Sequence, residues 1–204
     1  MVDLSHVSHR TMRDVLGVTR SPVIFSHSGA YALQPHLRNV PDDVLRLLRL
    51  NRRIVMVVFL NRFLHKTPNQ ASIHDVADHI FHIADVCGWD CVGVGADFFG
   101  TANVPLGLED VSKYPSLMEI LLQRGATDEQ IRLLAGENIL RVWEDVEKRA
   151  RELQITQKPI EREYEGRRWH KGFVGDPFML RGGLEAAIAD GAVDEPDPFS
   201  VKND

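Results

Sequence analysis

The sequence predicts an α/β fold of parallel βα units, arranged as the last four units of an eight-stranded (β/α)8 TIM-like barrel. Three observations predict it. Short apolar runs alternate with amphipathic segments up to about residue 150. Four of those runs read as strands, half the number that closes such a barrel. Three of them end in a polar, ligating side chain, His6, His27 or Asp97, at the strand ends where parallel barrels carry their chemistry. A doubly wound open sheet is the alternative arrangement of the same units. No Gly-x-Gly-x-x-Gly element follows the first strand, which weakens a dinucleotide-binding version of it.

Val2 to His6 reads as a short strand. Ser8 to Leu16 reads as a helix with Met12, Val15 and Leu16 on one face. Pro22 to His27 is a buried strand, and Pro41 to Leu50 a helix whose first turn holds Pro41, Asp42 and Asp43. Ile54 to Leu60 is nearly all apolar, as a strand covered on both faces should be. Ser72 to Cys87 is the clearest helix: Ile73, Val76, Ala77, Ile80, Ile83 and Ala84 recur at helical spacing, and Gly88 ends it. Cys91 to Asp97 is the fourth strand. Thr127-Asp128-Glu129-Gln130 forms a capping box, and a long helix runs from about Glu137 to Leu153. The barrel half is therefore placed at residues 1–153. Residues 154–204, with a charged stretch from Pro159 to Trp169, a glycine-rich Gly172 to Gly183 and an acidic end, read as a partly disordered extension.

The 204 residues are 44% hydrophobic, enough for one sizeable core. The net charge of -5 gives no reason to expect nucleic acid, which calls for a basic stripe. Cys87 and Cys91 are expected as reduced core thiols at a helix-to-strand turn. No apolar run is long enough to span a membrane. The opening Met1-Val2-Asp3-Leu4-Ser5-His6 enters strand-forming residues directly, and the expectation is that it carries no leader peptide and that barrel sequence has been cut away upstream. The compartment is left open, with the cytoplasm as default.

Imidazole suits zinc, and a carboxylate at the same rim can hold metal, a substrate amine or a proton. Each histidine could instead be a satisfied rim residue. Arg38, in the loop after the His27 strand, could clamp a carboxylate or pair at the surface with Asp42 or Asp43. His79 and His82 share a helix face with Asp75 and Asp78 at metal-like spacing. That face lies opposite the apolar stripe, so it is expected to point to solvent. Trp89 and Trp143 are expected to pack.

Five segments resemble the membrane (renal) dipeptidase family in order and in register: Asp3-Leu4-Ser5-His6-Val7-Ser8, Pro22 to Ser28, Arg38-Asn39-Val40-Pro41-Asp42-Asp43, Gly107 to Pro115, and Asn138-Ile139-Leu140-Arg141-Val142. The resemblance implies a metallohydrolase barrel with two zinc ions that cleaves dipeptides and, in some members, opens β-lactam-like substrates. It implies that His6 and His27 hold the second zinc. Arg38 matches the arginine that binds the substrate's terminal carboxylate, and Asp97 the carboxylate that contacts the amino group or helps move a proton to the leaving nitrogen. Homodimers are common in the family.

There are departures. The family's His-x-Asp pair, bridging glutamate and further histidine lie before the region matching Asp3. The usual Asp-Phe-Asp-Gly reads Asp97-Phe98-Phe99-Gly100, a usual asparagine is Val58, and a tyrosine of some members is Phe63. Two histidines give one zinc only two protein ligands, fewer than catalytic sites use. The expectation is a zinc dipeptidase fragment with little activity of its own. The alternative is an inactive remnant acting as a binding or regulatory partner of an intact homologue. A metal-dependent hydrolase of another amidohydrolase-like type is a third, weaker reading.

Overall fold

The computed structural model describes residues 1–49, 53–101 and 103–161. The glycine-rich and acidic segments, and most of the charged stretch before them, lie outside the described residues. Met1–Gln157 forms one compact unit. At its centre is a parallel sheet of β1 (Val2–Asp3), β2 (Val23–Ser28), β3 (Ile54–Val57) and β4 (Val92–Val94), in the order β1-β2-β3-β4. Register pairs Asp3 with Ile24, Ile24 with Ile54, and Met56 with Gly93. Successive units of a barrel produce this sequential order, whereas a doubly wound sheet reverses at a switch point. The sheet also curls. A Cβ on Gly95 would collide with the carbonyl oxygen of Ser26, so the chain leaving β4 closes on β2 although β3 lies between them.

Seven α-helices occur among the described residues: α1 (His9–Val18), α2 (Asp42–Leu48), α3 (Asn61–Leu64), α4 (Ile73–Cys87), α5 (Tyr114–Gln123), α6 (Asp128–Arg132) and α7 (Asn138–Gln154). Local sequence sets their ends. The Ser8 hydroxyl caps α1 by accepting from the Thr11 N–H. Ser72 and Asp75 form a reciprocal capping box on α4, and Gly88 stops that helix at φ 103°, a left-handed value that favours glycine. Thr127 and Gln130 cap α6 in the same way. Pro41 precedes α2 as its cap rather than standing in its first turn. α5 was not apparent from the sequence; Pro115 is compatible with its first helical turn, and Leu117 and Leu121 bury the inner face.

Alternation along the strands builds two faces. Val23 and Phe25 of β2, Val55 and Val57 of β3 and Val92 of β4 join one apolar core with Met12 and Leu16 of α1, Val44, Leu45 and Leu48 of α2, and Val76, Ile80 and Ile83 of α4. The opposite face carries Asp3, Ile24, Ser26, Ile54 and Met56. Gly93 belongs to that face because the Ile54 side chain lies where its Cβ would be. Asn138 ties α7 to the sheet, its amide donating to the carbonyls of Trp89 and Val92 at 2.7 and 2.9 Å. Cys87 and Cys91 are free and buried, as their positions suggested. No helix among the described residues is long and apolar enough to cross a membrane.

Several expectations need correction, among them the end of the third strand, which stops at Val57 rather than Leu60. β1 ends at Asp3 rather than His6, because the Asp3 carboxylate turns back to accept the Ser5 N–H at 3.0 Å and bends the chain out of the ladder. β4 ends at Val94 rather than Asp97, where the backbone turns through φ 62°. His79 does not face solvent. It is 1% exposed, because the loop after β2 and the end of α3 fold over that side of α4. Its Nδ1 accepts from the Ala30 N–H at 2.8 Å and its Nε2 donates to the Leu64 carbonyl at 3.1 Å. Trp89 packs edge-on against Phe81, whereas Trp143 is half exposed, with its indole N–H donating to Glu147.

Candidate functional site

The four side chains singled out in the sequence meet at one rim of the sheet. His6 lies in the turn after β1, His27 near the end of β2, Arg38 in the loop between β2 and α2, and Asp97 in the turn after β4. The Nε2 atoms of His6 and His27 are 2.8 Å apart. An Arg38 terminal nitrogen donates to the same Nε2 of His27 at 3.0 Å. An Asp97 carboxylate oxygen stands 3.9 Å from it. His27 Nε2 is thus the point on which two cationic or imidazole donors and one carboxylate converge.

Neighbouring residues place each member. The buried Ser5 accepts the His27 backbone N–H on its hydroxyl at 2.9 Å, and its carbonyl accepts from Arg38 Nε. Asn39 is fully buried: its Oδ1 accepts from the Gly29 N–H, and its Nδ2 donates to the carbonyls of Gln34 and Phe63. The loop carrying Arg38 is therefore held by hydrogen bonds inside the fold rather than by surface charge. Surface pairing of Arg38 with Asp42 or Asp43 is not what occurs. Asp43 receives a bidentate bond from Arg13, and Asp42 bonds His82 at 2.8 Å. The Arg38 guanidinium lies 5.2 Å from the Phe63 ring centroid. Phe63 thus offers the guanidinium an aromatic face.

Asp97 adopts φ 62°, a left-handed conformation that aspartate tolerates better than most residues. The Gly100 N–H closes the turn by donating to the Asp97 carbonyl at 2.9 Å, and a side chain on Gly100 would collide with the Asp97 carboxylate. Phe98 packs edge-on against Phe59, while Phe99 is fully exposed and Val58 fully buried.

Electrostatics favour neutral imidazoles. Burial pushes the His6 ring below its ordinary pKa, helped by the charge of Arg38 and by His27, against the opposing pull of Asp3 and Asp97. His27 is lowered by burial and by Arg38, with Asp97 and Asp3 working against both. Burial and the nearby Arg62 also lower Arg38, opposed by Asp97 and Asp3. A neutral imidazole keeps a lone pair for a metal or a donor.

Sequence reasoning missed Asp3, Ser5, Ser26 and Asn39 as parts of the site. Burial acts to raise the pKa of Asp3, but hydrogen bonds from Ser26 and Ser5 outweigh it and hold the carboxylate below its ordinary value. The signal was present in the segments quoted above, where the histidines drew attention away from their polar neighbours. A groove of about 660 Å³ beside α4, lined by residues including Leu33, Asp78, His82 and Arg124, shares no residue with the histidine cluster. In the cluster, by contrast, two imidazole nitrogens stand 2.8 Å apart.

Comparison with known proteins gives this geometry a family. Residues 1–157 match the model for membrane dipeptidase (peptidase family M19). An uncharacterised dipeptidase of Schizosaccharomyces pombe is 54% identical over 171 residues, 83% of this chain and 41% of the relative. Dipeptidase tcpJ of Claviceps purpurea is 48% identical over 147 residues, 72% of this chain and 35% of the relative. A metallo peptidase from Rhodobacter sphaeroides, solved with a phosphinate mimic of the dipeptide L-Ala-D-Ala, superposes with a TM-score of 0.67 at 32% identity, over 72% of this chain and 42% of that one. The chain spans under half the length of these relatives. On the match of its first 157 residues, the chain belongs to the membrane dipeptidase family.

Proposed function

We propose that this chain carries the substrate-clamping and second-metal portion of a zinc-dependent dipeptidase. The observation that carries the reading is the convergence of His6, Arg38 and Asp97 on Nε2 of His27. His6 and His27 would hold zinc, Arg38 would grip the substrate's terminal carboxylate, and Asp97 would hold the free amine or pass a proton to the leaving nitrogen. A carboxylate clamp beside the scissile bond selects dipeptides over longer chains. A phosphinate mimic of a dipeptide bound to the Rhodobacter sphaeroides relative supports this substrate class.

The donor set fits zinc in type and falls short in number. Both donors are imidazoles kept neutral by burial. Two nitrogens on one tetrahedral zinc stand about 3.3 Å apart, so rings now at 2.8 Å need to part by only about half an ångström. No group of three or more ligating side chains occurs among the described residues, so two donors are what this region supplies. The chemistry a bound zinc contributes is Lewis acidity: activation of water near neutral pH and polarisation of a carbonyl. The chain's own residues supply the orientation: Arg38 and Asp97 fix the two charged ends of a dipeptide.

The test joins residues 1–204 to the preceding region of the Claviceps purpurea relative and measures zinc content and hydrolysis of a dipeptide panel beside N-acyl amino acids. Zinc-dependent cleavage of dipeptides, lost in His27→Ala together with part of the zinc, is the expected result. Preference for N-acyl amino acids, or zinc content unchanged by His27→Ala, would overturn the assignment. The 204-residue chain alone should bind zinc weakly and turn over little, since it offers two protein ligands.

A further inference from the structure

We infer that Asp3 and Ser26 are positioning residues that set the tautomer of His27 and so keep its Nε2 unprotonated, as an acceptor that a ligand can use. The inference rests on the metal-ligand role proposed for His27, which it deepens.

The polarity of the network is determined by its ends. Arg38 can only donate, so His27 Nε2 accepts its bond at 3.0 Å and carries no proton. A neutral ring then holds its proton on Nδ1, 2.7 Å from the Ser26 hydroxyl. Ser26 must accept that proton's bond and turn its own hydroxyl hydrogen elsewhere. The Asp3 carboxylate takes it through Oδ2. The other Asp3 oxygen accepts two backbone N–H groups, from Ser5 at 3.0 Å and Ser26 at 3.1 Å, which lock the carboxylate in place. The chain of donation therefore runs from His27 Nδ1–H to Ser26 to Asp3. Every link is polar in one sense only as long as Asp3 is an acceptor at both oxygens. A carboxylate that orients a ligating histidine commonly changes metal affinity by about ten- to a hundredfold when it is removed.

Asp3→Asn tests the direction of the relay. The two backbone N–H groups should keep the amide oxygen, so the new NH2 faces Ser26 and donates to it. The Ser26 hydroxyl is then free to donate to His27 Nδ1, which favours the opposite tautomer, with the proton on Nε2. The measurement is long-range 1H–15N NMR of the 204-residue chain, metal-free, together with zinc affinity of the joined protein by calorimetry. Wild type should show His27 protonated at Nδ1. Asp3→Asn should shift the population towards Nε2–H and weaken zinc binding by about ten- to a hundredfold. Ser26→Thr should keep the wild-type tautomer, and Ser26→Ala should lose its uniformity while leaving the Asp3 backbone bonds intact.

An unchanged Nδ1–H tautomer in both Asp3→Asn and Ser26→Ala would overturn the relay, as would an Nε2–H ring in wild type. If Asp3→Asn fails to fold, Ser26→Ala decides the question alone. The two readings separate cleanly: tautomer shifts in the 204-residue chain, with zinc content of the joined protein unchanged by His27→Ala, would sink the metal role and keep the relay. Equal zinc affinity with an unchanged tautomer would sink the relay and keep the metal role.

Discussion

His79, on α4, accepts a hydrogen bond from the Ala30 backbone N–H at 2.8 Å and donates one to the Leu64 carbonyl at 3.1 Å. It thereby links the loop after β2 to the end of α3, the two segments that carry Arg38 and Phe63. The ring must be neutral to do this, because Nδ1 accepts. Burial lowers its pKa from 6.5 to about 4. The unfolded chain therefore binds the proton more tightly than the folded one.

Stability should follow from that difference. The contribution is fully present above pH 6.5 and is lost progressively as pH falls through about 4, an interval worth about 3 kcal/mol. Urea unfolding between pH 7.5 and 4 should show a falling midpoint that His79→Gln flattens. A midpoint equally steep in the variant would assign the acid sensitivity to other groups.

Asn39→Ala should destabilise the fold by about 1–3 kcal/mol, since it strands the buried Gly29 N–H and Phe63 carbonyl and removes one of the two donors to the Gln34 carbonyl, which keeps the His36 N–H. Asn39→Asp should not rescue it, because a carboxylate cannot donate to the two carbonyls. Chemical denaturation gives the comparison. Recovery in the aspartate variant would show that the Phe63 carbonyl has another partner.

Arg38→Ala, in the joined protein described above, should leave zinc content unchanged and weaken dipeptide binding by about ten- to a hundredfold, the value of a charge-assisted contact. The loss should vanish for a dipeptide amide, which has no carboxylate to grip. Equal losses for acid and amide would make Arg38 a structural residue tied to Ser5 and Phe63.

Gly95→Ala places a methyl group against the Ser26 carbonyl, a backbone atom that cannot step aside. Overpacking of this kind costs about 1–3 kcal/mol. The same substitution should disturb His27, the next residue to Ser26, so the His27 imidazole NMR signals should move along with the unfolding midpoint. A loss of stability with unmoved His27 signals would show that the strain is absorbed in β4.

Much of the architecture was legible because the signals are local. The spacing of Val76, Ile80 and Ile83 marks α4, Gly88 and Thr127 mark helix ends, and the apolar run at Ile54 marks β3. The four site residues were legible because each stands at or just beyond the end of a strand, or in the loop that follows one. That position depends only on where the apolar run stops. The first strand came out shorter because the Asp3 carboxylate holds a turn that periodicity does not register, and the fourth strand stops at Val94, ahead of the turn at Asp97.

The sequence by itself determined the four strands and the main helices between them, the class of fold and the identity of the four side chains at the rim. Tertiary structure alone decided that His79 is buried and that Asp3 and Ser26 stand behind His27. It also decided that Arg38 meets an imidazole rather than Asp42 or Asp43. The physical reason is the same in each case. Periodicity reports how one element divides its own surface into apolar and polar faces. It does not report which distant segment covers the polar face, and the hydrogen bonds of Ala30 to His79 and of Ser26 to Asp3 join residues 49 and 23 positions apart.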